Sequence, residues 1–347
     1  MEDATVIQRT NSKNVGRIKL QEKQCKKIAE VVNGLTFNKT HFNRPYLDIT
    51  GNKEEKLRTY LFSVAICHQT QNLFSKKYQL AGWDYIEKVF ANLAKDKSTL
   101  LDLEYLDKSK PKEIEIELRK SFSDSNKQED STLETALERG EILSKTARAI
   151  LKNYQGKVSN LISLSDNRLI NSGHGLYEIL EEIPVFVDPL RKKSTAFIKF
   201  IEEAGIMKIK DPDNFTPIVD YHMQRVLLRT GCLEVLDKGL QKILKEKTPM
   251  KSDKELRSCA VTAMREISSQ SKKTIPEIDD IFWSLGRSCC HEKTLCYNGS
   301  CNKSPCTFAT VIAVPDHKEC VFSGICPGNH NERYREYWEP VVDTNFY

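Results

Sequence analysis

The organisation of the middle of the chain is decided by one stretch, Ile183-Pro184-Val185-Phe186-Val187-Asp188-Pro189-Leu190-Arg191-Lys192-Lys193-Ser194-Thr195-Ala196-Phe197. The Ile183-Pro184 step ends a helical pattern, because the residue before a proline disfavours helical geometry. A proline suits the first turn of a helix, where its missing N–H costs nothing, so Pro189 predicts a new helix with Asp188 as its N-cap. This helix is predicted to run from about residue 190 to residue 204.

Helical periodicity continues on both sides of this stretch. Between residues 56 and 74, apolar residues such as Leu57, Leu61 and Val64 recur at intervals of three and four, as one buried stripe of a helix requires. Further helices are predicted at 83–93, 135–154, 176–183, 221–230, 233–245, 253–268 and 275–285. Almost no segment alternates with a period of two, so the predicted fold class is all-α.

One segment interrupts the helical pattern. Between residues 107 and 132 the chain consists mainly of Lys, Glu, Ser, Asp and Gln, which predicts an exposed, flexible insertion that supplies no core. We therefore divide the chain into an N-terminal extension (1–55), a helical body (56–288) and a cysteine-rich metal-binding module with a tail (289–347).

Composition sets only loose limits on function. The 347 residues are 39% hydrophobic and 29% charged, and the net charge of +5 permits contact with phosphates without demanding it. No run of eighteen apolar residues occurs, and Met1-Glu2-Asp3 lacks the basic and apolar pattern of a signal peptide. We expect a protein without membrane contact, located inside the cell in the cytoplasm, nucleoid or nucleus.

Cysteine is concentrated near the end of the chain. Seven of the 11 cysteines lie between Cys289 and Cys326. In a reducing compartment such a cluster indicates metal or iron–sulfur ligation rather than disulfides. Four thiolates can hold either a [4Fe-4S] cluster or a zinc ion, and the seven cysteines are also compatible with two metal sites. A fully thiolate-coordinated metal leaves no position for substrate, so the site is predicted to be structural or to position DNA.

Two motifs carry a family resemblance. Lys193-Ser194-Thr195-Ala196 at the start of one helix, followed by Val219-Asp220-Tyr221-His222 at the start of another, resembles the helix-hairpin-helix DNA glycosylase superfamily. The segment 61–70, which contains Gln69, is similar to the early helix of that family, and 275–287 is similar to its last helix, which ends in Gly-Arg. The resemblance spans Leu57 to Cys326, is greatest to the archaeal-type 8-oxoguanine DNA glycosylases, and implies a two-lobed body.

The resemblance also implies site residues. Lys193 is the expected nucleophile, because an uncharged amine attacks C1′ and leaves a Schiff base. Asp220 is expected to stabilise the oxocarbenium charge and to move protons. Substrate contacts are expected from Gln69, His68, His222 and Arg225.

The cysteine cluster is similar to that of endonuclease III-like members, although its middle is longer than their Cys-x6-Cys-x2-Cys-x5-Cys spacing. The preferred ligands are Cys290, Cys296 or Cys306, Cys320 and Cys326, with Cys301 and His317 in reserve.

The function that this resemblance implies is base-excision repair. A monomeric N-glycosylase with AP-lyase activity would remove a damaged purine, of an oxidised type, after flipping it from double-stranded DNA. One departure weighs against DNA, because the hairpin segment 183–189 contains no glycine to approach a phosphate. Queuosine-nucleotide salvage glycosidases share a lysine and an Asp-Tyr in similar order, so a nucleotide N-glycosidase of that type is the first alternative. A non-catalytic, metal-stabilised nucleic-acid-binding protein is the second.

Overall fold

The computed structural model describes residues 16–301, 303–314 and 318–347, and it is mostly helical, which confirms the all-α prediction. Within these ranges, no helix combines the length and the apolar character that crossing a membrane requires. The helices are α1 (Glu22–Asn33), α2 (Lys53–Ala65), α3 (Trp83–Lys95), α4 (Leu103–Lys108), α5 (Pro111–Ser121), α6 (Ala136–Asn153), α7 (Val158–Leu164), α8 (Leu176–Leu180), α9 (Lys192–Glu203), α10 (Tyr221–Arg229), α11 (Lys238–Lys245), α12 (Lys254–Gln270), α13 (Ile275–Arg287), α14 (Leu295–Asn298), α15 (Thr307–Val311), α16 (Pro327–His330) and α17 (Glu332–Arg335).

Four short strands accompany the helices in the described part of the chain. Strands β1 (Ile18–Leu20) and β4 (Leu233–Val235) pair antiparallel, and so do β2 (Phe74–Ser75) and β3 (Leu80–Ala81). Single turns of 3-10 helix lie at Lys39–Asn43, Thr99–Leu101, Gln128–Asp130, Pro184–Phe186 and Pro212–Asn214.

The apolar residues form two separate cores. One core contains buried residues between Tyr46 and Phe215, and it includes the apolar face of α9. The other combines residues from β1 and α1 with residues between Val219 and Tyr337, and it includes α10 and α13. The chain passes from the first core to the second at residues 216–218, so the start of α10 lies at the junction of the two.

Residues of the predicted N-terminal extension belong to the second core. Ile18 of β1 lies opposite Val235 of β4, and α1 packs its buried face, which includes Ile28 and Val32, against α12. Residues 18–33 are therefore integrated with residues more than 200 positions away, whereas Tyr46, Leu47 and Ile49 belong to the first core. Residues 1–15 lie outside the described residues.

The structure differs from the prediction of an insertion at 107–132, because residues 111–121 form α5. Ile114 and Leu118 of this helix are fully buried, and α5 packs against α6. Gly140 of α6 allows this approach, since a Cβ there would lie 3.0 Å from the Pro111 carbonyl oxygen. The outward face carries charged pairs such as Glu117–Lys120 at i,i+3.

Replacing Leu118 with alanine tests whether α5 belongs to the core. We expect Leu118→Ala to lower the free energy of unfolding by about 2–5 kcal/mol, because it leaves a cavity at a fully buried position. The exposed Leu164 provides a matched control, and Leu164→Ala is expected to change the stability by less than about 0.5 kcal/mol. Urea denaturation measures both, and equal stabilities of the two variants would contradict the packing described above.

Candidate active site

The helix that carries the two lysines begins two residues after the predicted position. Arg191, in the left-handed conformation at φ 57°, precedes the first helical residue, Lys192. The Asp188 carboxylate accepts hydrogen bonds from the backbone N–H groups of Leu190 and Lys192, both at 3.1 Å, and it pairs with Arg257 at 2.7 Å. Asp188 therefore caps this turn through its side chain, and its buried ion pair anchors the start of α9 to α12.

The Lys193 side chain is fully buried, and its Nζ donates a hydrogen bond to the Ala65 carbonyl oxygen at 2.5 Å. This carbonyl belongs to the last turn of α2, where the negative end of the helix dipole attracts a cation. Burial nevertheless lowers the pKa of Lys193 to about 7, opposed by the Cys67 thiol and assisted by the charges of Lys192 and Arg139. The amine is therefore poised to exchange a proton near neutral pH.

Lys192 is the first residue of the same helix. Its Nζ is 3.3 Å from the Cys67 sulfur, and its charge acts on Asp220. Burial raises the pKa of Asp220, and the Lys192 charge is the largest of the effects that oppose this rise. Of the two lysines, Lys192 is thus the stronger electrostatic partner of the carboxylate.

Asp220 is the N-cap of α10. Its buried carboxylate accepts hydrogen bonds from the backbone N–H groups of His222 at 2.8 Å and Met223 at 3.2 Å. The preceding loop is fixed by Asp279, whose carboxylate oxygens accept from the Ile218 N–H at 3.1 Å. A buried carboxylate at the positive end of a helix is therefore held by backbone N–H groups, and the charge of Lys192 acts on it.

The Tyr177 hydroxyl group connects α9, which carries Lys193, with the loop that precedes Asp220. The Tyr177 hydroxyl lies 2.8 Å from the Thr195 hydroxyl on α9 and accepts from the Thr216 N–H at 3.0 Å. Thr216 lies in the loop that leads to Asp220. The Lys-Ser-Thr-Ala motif thereby contributes a positioning residue, Thr195, in addition to its lysine.

His68 is buried beside the lysines, with an exposed fraction of 2%. Among the described residues, neither of its ring nitrogens has a hydrogen-bond partner, and the ionic contact with Glu138 is 3.7 Å long. Burial lowers the pKa of His68 to about 2, and the charges of Arg139, Lys193 and Lys192 act in the same direction. The ring is therefore neutral, and it offers an acceptor and a donor that no group in the described part of the chain satisfies.

Gln69, the other polar residue predicted in this loop, binds the end of the chain instead of facing the lysines. Its backbone N–H donates to the Tyr347 carbonyl oxygen at 3.1 Å, and its Nε2 donates to the Val342 carbonyl oxygen at 3.0 Å. The Tyr347 ring is buried, 6.4 Å from the Tyr221 ring and under the Arg257 guanidinium. The tail therefore covers the start of α10.

The side chains of Arg225 and His222 form contacts with other groups of the protein. The Arg225 guanidinium pairs with Glu339, donates to the Gly286 carbonyl oxygen at 2.6 Å and lies 4.7 Å from the centre of the Trp338 ring. The Nδ1 atom of His222 lies 3.1 Å from an Arg225 nitrogen. A Cβ at Gly286 would meet the His222 Cβ at 2.8 Å, so α13 approaches α10 closely only because this residue is glycine. The two side chains that were predicted to contact substrate join α10 to α13 and the tail.

The cysteines separate into two groups. The sulfur atoms of Cys289, Cys301 and Cys306 lie 3.5–3.7 Å apart. A second group borders a small apolar cavity between α10 and the segment 320–329, and it consists of Cys290, Cys296, Cys320 and Cys326. Cys289, which was absent from the preferred ligands, thus joins two of the predicted ones, and His317 lies outside the described residues.

Sequence reasoning also left out Arg139 and Cys67. Arg139 donates to the carbonyl oxygens of Ile66 and His68 from α6, so it fixes the loop that follows α2. No local signal marks a single arginine in a helical pattern for this role. Cys67 adjoins His68 in the sequence, and only the fold places its sulfur near both lysines.

Comparison with known families corrects the function that the motifs implied. The model of the family described as queuosine salvage protein matches residues 62–298, and no helix-hairpin-helix glycosylase family matches. No curated protein matches the chain. The assignment to DNA glycosylases was therefore wrong, together with base-excision repair, AP-lyase activity, an iron–sulfur protein and double-stranded DNA as the partner.

The reason for the error is that the lysine and the Asp-Tyr pair occur in the same order in both families, so these motifs alone do not separate them. The absence of glycine from the hairpin segment 183–189 favoured the nucleotide N-glycosidase over a DNA glycosylase. The match covers more than half of the 347 residues and includes both lysines, Asp220 and the α13 helix. The chain belongs to the queuosine salvage protein family.

Proposed function

We propose that the protein is an N-glycosidase that releases the modified base from a queuosine nucleoside or nucleotide. The observation that carries this proposal is the buried Asp220 carboxylate at the N-terminus of α10, on which the charge of Lys192 acts, together with the buried amine of the neighbouring Lys193. A carboxylate and proton-carrying amines, enclosed together, are the groups that hydrolysis of an N-glycosidic bond needs. The family match supports a nucleoside-sized substrate rather than a DNA duplex.

In the proposed reaction the bond between C1′ and the base nitrogen breaks, and its electron pair leaves with the base. Positive charge develops at C1′, and the ionised Asp220 stabilises it. A water molecule then adds its oxygen to C1′ and gives a proton to Asp220. Free ribose or ribose phosphate and the free base are the products, so no covalent bond to the protein is required.

The two lysines have different proposed roles. Lys192 favours the ionised form of Asp220, because its charge opposes the rise in pKa that burial causes. Lys193, whose pKa burial lowers to about 7, supplies a proton to the departing base. A proton donor with a pKa close to the working pH is efficient, because it is both populated and ready to release its proton.

His68 supports a polar ligand at the same place. A buried polar group without a hydrogen-bond partner destabilises the folded protein by about 1–3 kcal/mol. The buried His68 ring is therefore unfavourable unless another molecule forms hydrogen bonds with its nitrogens. A base or sugar that donates to one ring nitrogen and accepts from the other would do so. We therefore propose His68 as a substrate-binding residue.

The direct test incubates the purified protein with queuosine, with its 5′-monophosphate and with lesion-bearing DNA duplexes, and follows free base by liquid chromatography and mass spectrometry. We expect base release from the nucleoside or the nucleotide and none from DNA. Borohydride should trap no protein adduct, because no Schiff base forms. Failure to release base from both small substrates, with the protein folded, would overturn the proposal.

A further inference from the structure

The sulfur atoms of Cys289, Cys301 and Cys306 form a nearly equilateral triangle. The three separations are 3.6 Å between Cys289 and Cys306, 3.7 Å between Cys289 and Cys301, and 3.5 Å between Cys301 and Cys306. These separations exclude a disulfide, whose sulfur atoms lie about 2.05 Å apart. They agree with the edge of a tetrahedron around zinc, which is about 3.8 Å for zinc–sulfur bonds of about 2.3 Å.

We propose that these three thiolates bind one zinc ion that ties the segment after α13 to the body of the protein. Three sulfur atoms at tetrahedral spacing are a soft ligand set, which favours zinc over the harder magnesium and calcium ions. The site differs from the ligand set that the spacing of the cysteines suggested, because it contains Cys289 and the reserve ligand Cys301 and lacks Cys290, Cys320 and Cys326. This inference is independent of the glycosidase activity.

The surroundings indicate what the ion would hold in place. Cys289 follows the last turn of α13 by two residues, and Cys306 is the N-cap of α15. The Ser288 hydroxyl accepts from the Phe308 N–H at 3.2 Å, which joins the same two segments. Between the ligands, Lys303 pairs with Asp84 of α3 at 2.6 Å, and Arg287 pairs with the same carboxylate at 2.7 Å. The ion would therefore fasten the end of α13 to α3, three residues from the contact between Gly286 and His222.

The second group of cysteines provides an internal comparison. Among the described residues, the set whose ligand atoms all lie within 4.8 Å of one another is Cys289, Cys301 and Cys306. Cys290, Cys296, Cys320 and Cys326 line the small apolar cavity, which Cys289 also borders, and they are not part of that set. The proposed zinc therefore depends on Cys301 and Cys306 and is independent of Cys320.

Metal analysis of the full chain tests the proposal. Inductively coupled plasma and native mass spectrometry should show that Cys301→Ser/Cys306→Ser contains one equivalent of zinc less than the unaltered protein. Cys259→Ser, at a half-exposed cysteine of α12, and Cys320→Ser should both keep that zinc. Equal zinc in the double variant and the unaltered protein, or loss of the same equivalent in Cys320→Ser, would overturn the assignment.

A second variant keeps the test decisive if the double variant does not fold. Cys306→His retains a zinc ligand, so it should fold and bind one equivalent. After replacement of zinc by cobalt, the unaltered protein should show strong sulfur-to-cobalt charge-transfer absorption, and Cys306→His should lose about one third of it. An unchanged spectrum would mean that Cys306 does not bind the ion.

Discussion

Replacement of Asp220 by asparagine is expected to lower kcat for base release by about 10²–10⁴, the range that one catalytic proton-transfer group contributes. A loss of 10³ corresponds to about 4 kcal/mol of transition-state stabilisation. The amide keeps the size of the side chain and one oxygen that accepts from the His222 N–H, so the helix cap is retained. What the variant lacks is the negative charge opposite the developing positive charge at C1′.

Asp237 offers a matched control for this variant. It is also the N-cap of a helix, where its carboxylate accepts from the Leu240 N–H at 2.6 Å, but it is exposed. Asp237→Asn should therefore alter capping to a similar extent and leave kcat unchanged. Steady-state rates of base release, measured beside thermal melting curves, compare the two variants. Equal activities of the two would remove Asp220 from the proposed mechanism.

Local signals in the sequence predicted most of the helices and the cap of α10. The Val219-Asp220-Tyr221 motif places an N-cap residue directly before an apolar period, and the structure has Asp220 at that cap. The α5 helix was missed for a physical reason. Its core contacts come from only a few residues, such as Ile114 and Leu118, and such a narrow stripe disappears among charged neighbours.

Orientation within an element could not be predicted in the same way. Successive residues of an α-helix point about 100° apart, so the exact starting residue decides which of two neighbouring side chains faces a given partner. For this reason the sequence did not show that Lys192 is the stronger charge partner of Asp220. The same uncertainty affected Cys289 and Cys290, which follow α13. Cys289 lies with Cys301 and Cys306, whereas Cys290 lies with the other cysteines that line the apolar cavity.

The pH dependence of base release should have two limbs, each assigned to one group. Activity should rise with pH through the pKa of Asp220, which burial raises above its usual range, because the reaction needs the ionised carboxylate. Activity should then fall as the pH rises through about 7, because the proposed proton donor Lys193 loses its proton there. The expected profile of kcat/KM is a bell whose alkaline limb lies far below the pKa of an ordinary lysine.

Variants at the two lysines separate these limbs. Lys193→Met removes the donor, so we expect kcat to fall by about 10² or more and the limb near pH 7 to disappear. Lys192→Met removes a charge that lowers the pKa of both Asp220 and Lys193, so both limbs should move to higher pH. Lys208→Met, at an exposed lysine beyond the end of α9, should leave the profile unchanged. An alkaline limb that persists near pH 7 in Lys193→Met would show that another group carries the proton, because the titrating amine is absent from that variant.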